Sequence, residues 1–210
     1  MIALIMCGGK GSRFTTPENI EKPLARIRDK TLINIILHAL TSSGQFNRIL
    51  CVSSPYSPQT TQFLERNYRM DNKIEVIIAD GLGYSKDLSK ALNSMPRQKV
   101  LTFPSDLPLL DADMVRKLVS RCTPSIQNTC IAVVAEASFV NSVGTPCNSL
   151  FVLNNKNFCY TGVCGFYLGK TASYKPLKEF YSITNEMQLV VNINTTRDLR
   201  LAEQLLGQLF

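Results

Sequence analysis

The first two dozen residues concentrate groups that bind phosphate. An apolar run, Met1-Ile-Ala-Leu-Ile-Met6, leads into Cys7-Gly8-Gly9-Lys10-Gly11-Ser12-Arg13, and Glu21-Lys22-Pro23-Leu24 closes the segment. A buried strand that runs into a loop with three glycines leaves backbone N–H groups free and lets a ligand approach the main chain closely. Lys10, Arg13 and Lys22 surround that backbone with positive charge. Donors and cations at a strand end describe a polyphosphate site, so a nucleotide is the first ligand to consider. The loop is not a Walker A loop, which needs Gly-x-x-x-x-Gly-Lys-Ser/Thr, because here Lys10 precedes Gly11. Nor is it the dinucleotide fingerprint, whose third glycine would stand where Phe14 does. A merely tight turn is the bland alternative. Three glycines are a costly way to build one, since each raises the entropy lost on folding.

Three further segments carry polar groups at strand ends. In Leu101-Thr-Phe-Pro104-Ser105-Asp106-Leu107-Pro108, an aspartate follows an apolar run and is flanked by prolines. Its stiff backbone suits a carboxylate that holds a hard cation such as Mg²⁺ against phosphate oxygens; a turn aspartate capping its own loop is the plainer reading. Asp111 and Asp113 are read as helix-start residues. Asp80-Gly81-Leu82-Gly83-Tyr84 follows another apolar run, and its glycines permit close approach to a base or ribose, with Asp87 one turn further on. Taken alone, that stretch is equally well an ordinary loop. In Val190-Val-Asn192-Ile-Asn194-Thr195-Thr196, the two asparagines alternate along an expected strand and share a face, from which their amides reach a metal, phosphate or ribose. Thr195 or Thr196 caps the last helix, and Asp198 complements its dipole.

The elements that must position these groups alternate. Strands are expected at 2–6, 48–53, 74–79, 99–103 and 128–136, and helices at 31–40, 58–68, 85–94 and 111–121. Near-continuous apolar strands alternating with helices predict an α/β fold: a mainly parallel mixed sheet covered on both faces, with ligands beyond the carboxyl ends of its strands. The loops after 2–6, 74–79 and 99–103 are therefore the candidates. Beyond 136 the pattern is less regular. A polar excursion surrounds Val143-Gly144-Thr145-Pro146, short strand pieces fall at 150–153 and 163–168, a strand at 189–193, and a final helix at 197–206. With no internal repeat or linker, residues 1–210 read as one domain, with the regular half 1–125 carrying most of the nucleotide candidates and the less regular half at 126–210.

Composition narrows the class. Hydrophobic residues make up 45% and charged residues 19%, ordinary for a folded domain, and no apolar run reaches the length of a membrane span. With no basic segment ahead of the short N-terminal apolar run, a cytoplasmic protein without stable membrane insertion is expected. The net charge of +7 suits an anionic ligand, but the cations are scattered and do not alternate with aromatics, which argues against nucleic acid. Seven cysteines without a Cys-x-x-Cys pair, and a single His38 in an apolar helical pattern, argue against zinc; their odd number argues against a disulfide framework. They are expected as small buried packing residues, Cys7 included, for which no neighbouring histidine offers activation.

Taken together, Gly8-Gly9-Lys10-Gly11-Ser12-Arg13, Glu21-Lys22-Pro23-Leu24, Asp106 within Pro104-Ser105-Asp106-Leu107, and Asn192-Ile193-Asn194-Thr195 resemble the nucleotidyltransferases of the molybdenum-cofactor guanylyltransferase type. Within that superfamily the chain is similar to the archaeal GTP:adenosylcobinamide-phosphate guanylyltransferases, through its length and Gly81-Leu-Gly-Tyr84-Ser-Lys-Asp87-Leu88. The resemblance implies a three-layer α/β/α Rossmann-like fold and transfer of GMP from GTP to the phosphate of adenosylcobinamide phosphate in cobalamin biosynthesis. It implies nucleotide contacts from Gly8, Gly9, Lys10, Gly11 and Ser12, with Arg13 on the β- and γ-phosphates and Lys22 at the reacting centre. Asp106 binds Mg²⁺ or Mn²⁺, with Asn194 beside it and Asn192 in support. Gly81, Gly83, Tyr84 and Asp87 line the base and ribose pocket, Gly162 and Gly165 belong to acceptor-side loops, and a homodimer is possible. Two departures stand out: Cys7 where the family has alanine, and Phe14–Ile20 without the glycine often found after the arginine. Other expectations from the same residues are a transferase acting on molybdopterin, phospholactate or a sugar phosphate, and a non-catalytic GTP sensor. The pairing of Lys22 with Asp106 argues against the sensor, since binding alone hardly needs a metal-holding carboxylate.

Overall fold

In a computed structural model, residues 1–9, 13–14, 19–95, 98–169 and 177–208 are described. Ile2–Met6 forms β1, buried along its whole length, and explains the layering. Side chains alternate across a strand. Ala3 and Ile5 face one helical layer, which includes Ile33, Ile36, Leu37 and Leu40 of α1 (Leu32–Ser43) and Val115 and Leu118 of α4 (Ala112–Cys122). Ile2, Leu4 and Met6 face the other, where Ala91 and Leu92 of α3 (Tyr84–Asn93) pack. The continuous apolar run is thus the signature of a strand buried on both faces.

Around β1 the parallel strands β4 (Arg48–Ser53), β5 (Ile74–Ile78) and β6 (Lys99–Pro104) build the regular half of an eight-stranded sheet. Its order is β10 (Lys178–Ile183), β7 (Thr129–Glu136), β9 (Lys156–Tyr167), β6, β1, β4, β5, with β8 (Leu150–Leu153) paired to β9. β4 and β6 flank β1 on opposite sides, so the chain leaves β1 in one direction and later returns on the other. That reversal is the topological switch point, where a crevice opens beyond the carboxyl ends of the strands. The second half adds β7 (Thr129–Glu136) and the long β9 (Lys156–Tyr167), which runs antiparallel to β6 and β7. β8 (Leu150–Leu153) and the edge strand β10 (Lys178–Ile183) complete the sheet, which is mainly parallel but mixed. A small hairpin, β2 (Arg26–Ile27) with β3 (Lys30–Thr31), lies apart from it.

Local signals set most boundaries. Thr31 caps α1 by accepting from the Asn34 amide at 3.3 Å, and Gly44 ends it at φ +69°, where a glycine carries no Cβ penalty. Asp111 caps α4 by accepting from the Met114 amide at 2.7 Å. Helix α2 (Pro58–Tyr68) starts on a proline whose missing N–H is not needed there.

Four expectations are corrected. The strand expected at 189–193 is a one-turn helix, α6 (Met187–Val190), followed by extended chain that hydrogen-bonds from Ile193 N to Asp106 O at 3.0 Å. A short run buried on every side has no period with which to separate helix from strand. The polar excursion contains a helix, α5 (Ala137–Val143), stopped by Gly144 at φ +82°. The piece expected at 163–168 is the end of the twelve-residue β9, whose alternation is broken where Gly162 adopts φ +86° and the register against β7 shifts. Finally, Cys147 and Cys159 form a disulfide, against the expectation that all the cysteines are packing thiols. The β8–β9 pairing folds the chain back so that their Cα atoms lie 5.6 Å apart. Among the described residues, no helix is long and apolar enough to cross a membrane.

Candidate active site

A cavity of about 500 Å³ lies beyond the carboxyl ends of β1, β4, β5 and β6. Its walls bring together residues far apart in sequence: Gly8, Gly9, Arg13, Lys22, the Gly81–Tyr84 loop with Asp87, then Asp106 and Asn194. Lys10, Gly11 and Ser12, which the sequence also nominated, lie outside the described residues.

At one end of the cavity the charged groups form a single network. Lys22 stands on one turn of 3₁₀ helix, Lys22–Leu24, and its Nζ donates to Asp106 Oδ2 at 2.5 Å and to Asn194 Oδ1 at 3.5 Å. Asn194 Oδ1 also accepts from an Arg13 guanidinium nitrogen at 3.2 Å, while the other terminal nitrogen donates to Asn148 Oδ1 at 3.1 Å. Asn192 Nδ2 donates to Asp106 Oδ1 at 3.2 Å. Both expected asparagines therefore converge on the same carboxylate neighbourhood, although no strand aligns them. The side chains of Lys22 and Asp106 are 22% and 10% exposed. Two charges withdrawn that far from water gain little net stability, because desolvation offsets their attraction. What the pair does provide is a cation and an oxygen donor held at one spot.

Asn194 is itself fixed from behind. Its amide and that of Thr195 donate to Asp198 Oδ2 at 2.9 and 2.8 Å, and the Asp198 amide returns a bond to Thr195 Oγ1 at 3.3 Å. This is a capping box at the start of α7 (Thr196–Gln208), so the anchor of the last helix also anchors the site.

The other end is built from one loop. Gly81 and Gly83 sit at φ +73° and +108°, conformations that favour glycine, and Asp87, buried on α3, accepts from the Leu82 amide at 3.2 Å. Tyr84 opens α3 and lines the cavity. Burial pushes its pKa up to about 12; Cys164 and Asp106 add to the rise, and a hydrogen bond with Thr102 opposes it.

The glycines of the first loop differ in role. A Cβ on Gly8 would lie 2.8 Å from Ser54 Cβ, so Gly8 is required by the close passage of the β4 exit. A Cβ on Gly9 would meet nothing within 4 Å, and its backbone borders the cavity. Cys7 is buried, and a hydrogen bond with Cys51, together with burial, holds its thiol well above the usual range, which fits the packing role expected of it.

Gly162 and Gly165 do not border this cavity among the described residues. Gly162 abuts Pro104, which does, whereas Gly165 has a packing reason: a Cβ there would sit 1.6 Å from the Cys122 carbonyl oxygen. Two participants escaped the sequence reading. Asn148 follows Cys147 in a stretch with no strand or helix period. Tyr56 follows β4, a strand end whose loop carries no glycine pair or charge; its ring lies 2.9 Å from where a Gly81 Cβ would be.

The MobA-like NTP transferase domain matches residues 3–164. Adenosylcobinamide-phosphate guanylyltransferase of Methanocaldococcus jannaschii is 28% identical, over 98% of this chain and 97% of that protein. Among solved structures, a hypothetical transferase from Thermus thermophilus superposes with a TM-score of 0.65 at 15% identity, covering 94% of this chain and 98% of that one. A putative glucose-1-phosphate thymidylyltransferase from Bacillus anthracis, in complex with a sucrose, superposes with a TM-score of 0.68 at 11% identity, covering 98% and 95%. Those two likenesses establish the three-layer, Rossmann-like fold; the domain match over most of the chain establishes that it belongs to the family of MobA-like NTP transferase domains, and so to the nucleotidyltransferases.

Proposed function

We propose that the chain transfers GMP from GTP to the phosphate of adenosylcobinamide phosphate and releases pyrophosphate. The observation that carries this reading is the convergence of Lys22, Arg13, Asp106 and Asn194 at one end of a cavity whose other end is a glycine loop. The acceptor is inferred from the near end-to-end similarity to the Methanocaldococcus enzyme.

In this reading an acceptor phosphate oxygen attacks the α-phosphorus in line. One P–O bond forms, the bond to the β-phosphate bridging oxygen breaks, and pyrophosphate leaves. A phosphomonoester dianion needs no base, which agrees with a site holding no His or Ser constellation among its described residues. The protein's work is positioning and neutralising charge. Arg13 faces the β- and γ-phosphates, the Gly9 backbone borders the chain of phosphates, and Lys22 meets the charge that grows around the transferred phosphorus. Asp87 holds the Leu82 amide so that the Gly81–Gly83 loop keeps its shape against base and ribose.

The donor set suits Mg²⁺ or Mn²⁺. Asp106 and Asn194 offer hard oxygen atoms, and among the described residues no cluster of three His, Cys, Asp or Glu forms an all-protein cage. One carboxylate completed by substrate phosphates is the usual arrangement for Mg²⁺. When bound, the ion would supply charge neutralisation on the phosphates. Lys22 occupies Asp106 Oδ2 in this structure and would yield that oxygen to it.

The test is incubation with GTP, Mg²⁺ and adenosylcobinamide phosphate, with detection of the GDP-linked product and pyrophosphate. Molybdopterin, phospholactate and glucose 1-phosphate run beside it, with each nucleoside triphosphate. Faster pyrophosphate release with another acceptor overturns the assignment. GTP binding without Mg²⁺ dependence, and no turnover with any acceptor, favours a sensor.

A further inference from the structure

Helix α2 does not cap itself. Its N-cap residue is Ser57, yet that hydroxyl is engaged backwards, donating to the Ser54 carbonyl at 3.2 Å and accepting from the Ser54 amide at 3.0 Å. Pro58 has no N–H to satisfy. The next two amides, Gln59 and Thr60, would be left without partners inside the helix. Both are taken by a carboxylate from far away in the sequence. Gln59 N donates to Glu21 Oε1 at 2.8 Å, Thr60 N donates to Glu21 Oε2 at 2.7 Å, and the Thr60 hydroxyl donates to the same oxygen at 2.6 Å. Thr60 is fully buried, so its side of this joint is fixed. A carboxylate on the positive end of a helix, with three short donors, is a strong and directional attachment.

Glu21 is the residue before Lys22. On the other side of Lys22, Pro23 is buried and fixes its own φ, and the turn closes through Leu24 N to Glu21 O at 2.8 Å and Ala25 N to Lys22 O at 3.0 Å. The backbone under Lys22 is therefore clamped on both sides, by α2 through Glu21 and by the 3₁₀ turn through Pro23. A lysine is a flexible chain ending in a point charge, so the accuracy of its ammonium depends on where its Cα is held.

We propose that Glu21 is a positioning residue: by capping α2 from a distance, it fixes the backbone from which Lys22 reaches the phosphates. This rests on the role given to Lys22 above. The same loop would then be tied to the strand exit that bears Tyr56, coupling the two walls of the cavity through one carboxylate.

The test is a double-mutant cycle on the full chain with Glu21→Ala, Lys22→Ala and the pair. Three readouts are taken: kcat and KM for GTP in pyrophosphate release, affinity for inorganic tripolyphosphate with Mg²⁺, and the thermal midpoint. Glu21→Ala is expected to lower kcat about tenfold, with KM for GTP changed less than about threefold, while the same change in the Lys22→Ala background costs less than about twofold. Its loss of thermal midpoint should be the same in both backgrounds, because capping of α2 does not need Lys22. Tripolyphosphate affinity should follow the non-additive pattern of kcat. Equal losses in both backgrounds, or an unchanged kcat in Glu21→Ala, overturn the proposal and leave Glu21 as a helix cap only. Should Glu21→Ala fail to fold, Glu21→Gln keeps the volume and one acceptor oxygen and gives the same cycle at smaller amplitude. If the wild type turns over no acceptor but its tripolyphosphate losses remain non-additive, the acceptor reading fails and the role of Glu21 stands. Turnover with additive losses has the opposite meaning, and a wild type that neither turns over nor binds tripolyphosphate removes both.

Discussion

The two ends of the cavity are assembled in opposite ways. The end built from the Gly81–Gly83 loop is local: the bond that shapes it joins Leu82 to Asp87, five residues apart. The charged end is global, with Lys22 and Asp106 separated by 84 residues, Asn192 and Asp106 by 86, and Arg13 and Asn194 by 181. A local end depends first on its own helix, although Tyr56 from the loop after β4 packs against Gly81. A global end exists only when β1, β6 and the last helix are docked together, so its geometry reports on the whole fold. In the proposed reaction that division assigns recognition to the first and rate to the second.

Variants can break that division, beginning with the largest effect. Lys22→Ala should cut kcat by roughly a hundredfold, about 3 kcal/mol of transition-state stabilisation, without unfolding the protein. Near wild-type pyrophosphate release in that variant would deny Lys22 its role. Asp198→Ala tests whether the charged end depends on distant anchoring. It removes the capping box, which should cost about 1 kcal/mol in denaturant unfolding, and it frees Asn194, which should lower kcat about tenfold. A stability loss with unchanged kcat would show that Asn194 holds its place without the helix.

Asp87→Ala addresses the local end. It strands the Leu82 amide and should raise KM for GTP about fivefold with kcat unchanged, the pattern of an interaction equally strong in ground and transition states. A fall in kcat instead would mean that the two ends are not separable. The smallest effect is at Tyr84. Its folded pKa of about 12 lies above the ordinary tyrosine value of about 10, so the folded state holds the proton more tightly than the unfolded chain. The contribution is complete below pH 10 and is lost as pH rises toward 12. Tyr84→Phe should therefore flatten part of the alkaline decline in stability, read by thermal unfolding across that window.

The same division decides what the sequence makes legible. Strand-to-loop transitions rich in glycine and charge point to Gly8, Gly9, Arg13, Lys22 and Asp106, because apolar runs buried on both faces are easily recognised and the chemistry sits where they stop. The cap at Asp111 is equally plain, since it acts within three residues, whereas Thr31, expected as the first helical residue, stands one position ahead as the cap. Interactions that span the fold leave no such trace. Nothing near Asn148 announces that it will meet Arg13, and nothing near Cys147 announces Cys159, until β8 folds onto β9. The strand expected at 189–193 fails for the complementary reason: its buried run lacks a period, and only contact with Asp106 settles its path.

The distant cap on α2 also has a consequence for how an anion reads this surface. An open helix amino end beside a phosphate site is a second invitation to bind phosphate. Here the Gln59 and Thr60 amides are already occupied by a carboxylate, whose negative charge repels any other. Glu21 and Gln59 border a neighbouring cleft together with Gly9 and Lys22, so what stands next to the charged end is a carboxylate rather than an open helix terminus.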